Sequence, residues 1–76
     1  MNFPGYLNVG EKLQEMEEAL RRADRNIAYQ RELIAELERY GSATVSARAT
    51  LNAFEELRKT CLARRNLLFE ELANQV

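Results

Sequence analysis

The chain has no histidine and no tryptophan, a single cysteine, a single proline and three glycines. Each scarcity removes a class of protein. Without histidine there is no Glu-x-x-His di-iron motif and no zinc site built from several histidines or cysteines. Cys61 likewise has no imidazole to activate it, and it falls on an apolar helix face, so it reads as a small core residue. A lone cysteine closes no intramolecular disulfide, which argues against a disulfide-stapled secreted scaffold. Gly5, Gly10 and Gly41 are too scattered to cradle a phosphate, and no stretch resembles a calcium loop.

Long apolar runs are lacking as well. No segment approaches the roughly 20 apolar residues of a membrane span, and "MNFPGYLNVG" has neither the basic start nor the apolar core of a signal peptide. Charge of one sign is also missing. Eleven basic residues stand against twelve acidic ones, a net charge of −1, so no overall field draws in nucleic acid or an acidic bilayer. The expectation is a soluble, cytoplasmic, non-enzymatic protein without cofactor, metal or membrane.

What is present points to helices. Hydrophobic residues make up 46% of the 76 positions and charged residues 30%, with Leu, Glu, Ala and Arg prominent, as in long helices or coiled coils. A chain of this length forms one domain at most, close to the size at which a single core becomes marginal.

Residues 1–9 hold Pro4 and Gly5 between Phe3 and Tyr6 and read as an N-terminal arm that either folds its aromatics onto the domain end or stands free as a recognition peptide. Asn8 followed by Glu11 resembles a capping box, so the first helix is expected over about 10–40. Within it Leu13, Met16, Leu20, Ala23, Ile27, Gln30, Ile34 and Leu37 keep a strict alternation of three and four. That period predicts a coiled-coil seam. Leu33 and Tyr40 lie beside the seam, and Tyr29 lies further round on that side. Gln30 is its one polar member and reads as a register or oligomer-specifying group.

Gly41 falls just past the last seam residue, where a left-handed residue commonly ends a helix. Thr44 is the better N-cap for a second helix and Ser42 the competitor, giving a turn over 41–44. The second helix is expected over about 45–74. Ala47, Leu51, Phe54, Cys61, Leu68 and Leu72 share its inner face, and Arg58 and Arg65 occupy the two remaining seam places. Leu57 flanks that face on one side, with Leu62 and Phe69 on the other.

So short a link between two long helices predicts an antiparallel all-α hairpin, in which facing positions sum to about 85. One helix–helix contact leaves each helix wet over most of its circumference. The apolar groups at the seam flanks (Tyr29, Leu33, Leu57, Leu62 and Phe69) therefore read as an oligomer interface, with dimerisation into a four-helix bundle, or a higher even-numbered assembly, as the expected completion and another protein as a further partner.

Glutamates collect at the open end of this hairpin. Next comes a basic belt of Arg21, Arg22 and Arg25 on one helix and Arg58, Lys59, Arg64 and Arg65 on the other, with Asp24 opposed. The belt has three readings. It is a solvated surface laced by i,i+4 pairs such as Glu17–Arg21, Glu18–Arg22 and Glu55–Lys59. It is a surface for another copy's acidic end. Or it is an anion platform, which would make the protein a small dimeric RNA- or DNA-binding regulator.

The segments "IAYQRELIAELERYGSAT" and "ARATLNAFEELRKTCLARRNLLFEEL" resemble a set of small uncharacterised bacterial helical-hairpin proteins. Those share I-x-x-Q-x-x-L-I-x-x-L-x-x-x-G-x-x-T, then L-x-x-x-x-x-L and R-x-x-L-x-x-E-L. The matching residues are Ile27, Gln30, Leu33, Ile34, Leu37, Gly41 and Thr44, then Leu51, Leu57, Arg65, Leu68 and Leu72. The resemblance implies a cytosolic hairpin with no assigned activity and no catalytic residues to carry over. Many of those proteins have acidic or histidine residues near the turn and in the second helix, where this chain has Ser42, Ala43 and Cys61.

Overall fold

In the computed structural model of the protein, backbone is described for residues 5–74 and side chains for residues 8–74. Two helices account for nearly all of it: α1 over Gly5–Arg39 and α2 over Val45–Asn74. They pack against each other as a hairpin that forms a rod of 58 × 18 × 16 Å. At ~1.5 Å per residue, the 35 residues of α1 account for most of that length.

The start of α1 differs from the sequence expectation of an arm over 1–9. The chain is already helical at Gly5, and Asn8 and Glu11 stand exposed inside the helix rather than at its cap. Burial supplies the reason. Val9 is 1% exposed and lies four residues before Leu13, so the seam runs one step further towards the N-terminus. A glycine in the first turn costs less than one in the helix interior. The expected packing of Phe3 and Tyr6 concerns side chains outside the described residues.

The buried core follows α1: Val9, Leu13, Leu20, Ala23, Ile27 and Ile34. From α2 only Ala47 and Cys61 are buried, while Leu51, Phe54, Leu68 and Leu72 are half-buried. The asymmetry arises because two of α2's seam places hold arginines, whose heads must reach water.

Gly41 ends α1 at φ +67°. Its N–H donates to the Glu38 carbonyl (3.1 Å) and the Ser42 N–H donates to the Leu37 carbonyl (2.8 Å). Together these satisfy carbonyls that the end of a helix leaves free. At the start of α2 the Thr44 carbonyl accepts the Arg48 N–H at 2.9 Å, the first bond of the helix. The Thr44 hydroxyl, expected to accept a backbone N–H, accepts the Arg48 Nε at 2.9 Å instead. Arg48 reaches back one turn because its guanidinium also meets Glu38 on α1.

Candidate functional site

The described residues form two helices and no strands, so among them there is no cleft between layers and a candidate site is sought on the rod's surface. Seam periodicity divides that surface into two broad faces. Residues just after the second member of each seam pair, such as Asp24, Glu38, Arg48 and Phe69, fall on one face, and those just before the first member, such as Leu33 and Leu57, fall on the other.

The first face is ionic. Arg58 donates from Nε to Asp24 Oδ1 at 2.7 Å, and Arg48 pairs with Glu38 across the same face. The positions of these two cross-helix pairs sum to 82 and 86, near the expected value of about 85 for an antiparallel hairpin. A shallow groove of ≈ 330 Å³ beside them is lined by Asp24, Ile27, Arg31, Glu55, Arg58 and Lys59. A second groove of ≈ 270 Å³ continues the face, lined by residues including Glu17, Arg21, Arg58, Leu62 and Arg65. Each pair is substantially solvated, so each contributes at most about 1 kcal/mol and acts more on register than on stability.

Arg65 lies half-buried on this face with its guanidinium carbon 5.7 Å from the centre of the Phe69 ring. Its Nε is buried without a protein acceptor. A cation above a ring face is attracted by the ring quadrupole, and the aliphatic stem covers part of the apolar seam. Phe69 is thus engaged within the hairpin, although 46% of its surface remains exposed.

The opposite face is apolar through its middle. Leu33 is half-buried there, beside Leu57 at 48% exposure and Tyr29 at 60%. Towards the open end the face holds Leu67, 64% exposed. Leu67 lines a groove of ≈ 360 Å³ with Lys12, Glu15, Met16, Arg64 and Leu68. Sequence reasoning passed over Leu67 because it lies further round the helix from the seam than Leu57 does, although ten residues of helical phase keep the two on the same side of α2.

The basic belt is split by this division. Arg21, Arg58 and Arg65 line a groove on the ionic face, as Arg58 and Lys59 do in its neighbour. Arg64 lines a groove on the apolar face. By helical phase Arg22 follows Arg64, and Arg25 points away from the seam. The seven cations encircle the rod. The pairs that form also differ from the i,i+4 pattern: Lys59 meets Glu56 at 3.2 Å rather than Glu55, and Arg39 meets Glu36 at 3.2 Å. Glu55 instead lies on the wall of the ionic groove with Arg31, drawn there by the cross-helix face.

Gln30, half-buried, keeps its place in the seam between Ile27 and Ile34. Cys61 is a buried free thiol, and Ala23 on the other helix is buried as well. Small residues on both helices permit close approach at the rod's waist. Among the described residues no helix is long and apolar enough to cross a membrane, and no three His, Cys, Asp or Glu side chains are grouped to hold a metal. Comparison with protein-family models, with curated proteins and with solved structures finds no match to the chain.

Proposed function

We propose that this protein is a non-enzymatic helical-hairpin module that works by self-association, two hairpins forming a four-helix bundle that serves in protein–protein contact or assembly. The observation that carries the reading is the imbalance of burial. α2 buries only Ala47 and Cys61, although it also carries Leu51, Phe54, Leu57, Leu62, Leu67, Leu68, Phe69 and Leu72. Apolar area in water is the main reserve of free energy for association, and a helix so unevenly covered gains from a second layer.

Sedimentation of the purified chain over 1–100 µM, concentrations of about the usual in-vitro range, tests this. A species of twice the 8.8 kDa protomer is expected. A monomer that keeps its full helicity at the top of that range overturns the reading. The alternative of an RNA- or DNA-binding regulator draws no support from cations spread round the rod. Its own test is binding at two salt concentrations, since phosphate contacts weaken steeply as salt rises.

A further inference from the structure

We propose that one inverted charge pair, Arg31 with Glu55, fixes how far α2 lies along α1, so that the register of the hairpin is written in charge as well as in the turn. This inference goes beyond the self-association reading and stands whether or not two hairpins associate.

The ionic face carries four charged residues of α1 at seven-residue spacing: Glu17, Asp24, Arg31 and Glu38. Among the described residues, the ion pairs that close across the hairpin are Glu38–Arg48 and Asp24–Arg58. A step of one heptad along each helix, in opposite directions, carries the first pair to Arg31 and Glu55. The same step carries the second pair to Glu17 and Arg65. The structure agrees with both steps. Arg31 and the half-buried Glu55 line one groove, and Glu17 and Arg65 line the next.

From the open end, α1 therefore presents acid, acid, base, acid, and α2 presents base, base, acid, base. A uniform strip would match as well after sliding by one heptad, and the inverted pair removes that freedom. The slide that keeps most of the seam covered carries α2 towards the start of α1, because α1 has 35 residues and α2 has 30. It would bring Glu17 to Arg58, an attraction, but Asp24 to Glu55 and Arg31 to Arg48, both repulsions. The opposite slide sets Arg31 against Arg58 and Glu38 against Glu55. Each exposed contact is worth little by itself. A slide exchanges two attractions for two repulsions at once, which disfavours it by at least about tenfold. Charges flanking a seam set alignment in this way while adding little to stability.

The experiment swaps the inverted pair, combining Arg31→Glu with Glu55→Arg. Every pair stays matched in the native register, but α1 becomes acidic throughout and α2 basic throughout, so a slid register is matched too. Native and swapped strips are each built on the natural turn and on a turn lengthened after Ser42 by about ten Gly and Ser residues, a flexible linker that no longer dictates alignment. In a Cys61→Ala background, Ala35→Cys and Ala63→Cys, both at exposed positions, carry spin labels whose separation is read by double electron–electron resonance. Sliding α2 by one heptad towards the start of α1 lengthens that separation by up to about 10 Å. Dilution into unlabelled chain restricts the reading to single molecules.

On the natural turn both strips are expected to give one and the same distance. On the lengthened turn the native strip keeps it, and the swapped strip adds the longer one. A single distance from both lengthened chains assigns the register to the apolar seam and overturns the proposal, as does a mixture from the native strip. Urea unfolding on the natural turn supplies a second measurement. Arg31→Glu and Glu55→Arg should together cost less than the sum of the two single changes, by at least about threefold in the folding equilibrium constant. The cycle cancels what Glu55 does with Arg58 and Lys59 on its own helix. Additive effects would mean that Arg31 and Glu55 do not face each other, and would overturn the proposal as well.

Discussion

Gly41 is the residue on which the topology turns. Its φ of +67° lies in the left-handed region, yet a Cβ placed there would meet nothing within 4 Å. The cost of replacing it is therefore conformational, without a steric part. Gly41→Ala is expected to destabilise the hairpin by about 1–2 kcal/mol, read as a lower urea midpoint with unchanged slope. Gly41→Asn should lose less, because asparagine tolerates this conformation. Gln30 presents the opposite case, a polar group where the seam asks for an apolar one. Gln30→Leu is expected to raise Tm and to give mixed oligomers, because a polar seam residue trades stability for a defined partner arrangement. Differential scanning fluorimetry and sedimentation check the two halves; unchanged Tm with a single species removes Gln30 from any specifying role.

At the scale of the helices, the N-terminal part of α1 is where local rules and packing compete. Pro4, Gly5 and Gly10 weaken the intrinsic case for helix, and burial of Val9 restores it. If packing is what holds this turn, Val9→Ala should cost about 1.5–3 kcal/mol of unfolding free energy. Gly10→Ala should return about 0.5–1 kcal/mol, since the site is exposed and a methyl group there meets nothing within 4 Å. An irregular arm over the same residues would leave both variants near wild type in chemical denaturation. α2 shows the reverse balance: its local signals for helix are sound, but its seam is interrupted by Arg58 and Arg65. Its role is then to carry surface, ionic on one side and leucine-rich on the other.

For the molecule as a whole, the dimer proposal has a thermodynamic signature independent of any mutation. Folding linked to association makes Tm depend on protein concentration. Each tenfold dilution removes about 1.4 kcal/mol per dimer. With about 2.1 cal/mol/K of unfolding entropy per residue over two chains, Tm should fall by about 4 °C per tenfold dilution. A Tm constant between 1 and 100 µM, roughly the usual working range, would instead describe a hairpin that folds alone. Salt should act weakly, because the cross-helix pairs are exposed and screened.

Much of the architecture was legible before any coordinates. The seam from Leu13 to Leu37 and the Gly41 stop are properties of period and backbone sterics, which act locally and leave a direct mark on residue order. The start of α1 was not legible, because the signals of Pro4, Gly5 and the Asn8–Glu11 pair are local and the burial of Val9 is not. Nor was the fate of Thr44, since its hydroxyl is taken by an arginine held from the other helix. Least legible of all was which side of α2, that of Leu57 or that of Leu62 and Phe69, joins Leu33 and Tyr29 of α1. Residue order places each beside a seam; only the packing of α1 on α2 decides which sides join into one continuous face, because a face is made from two helices and the chain specifies them one at a time.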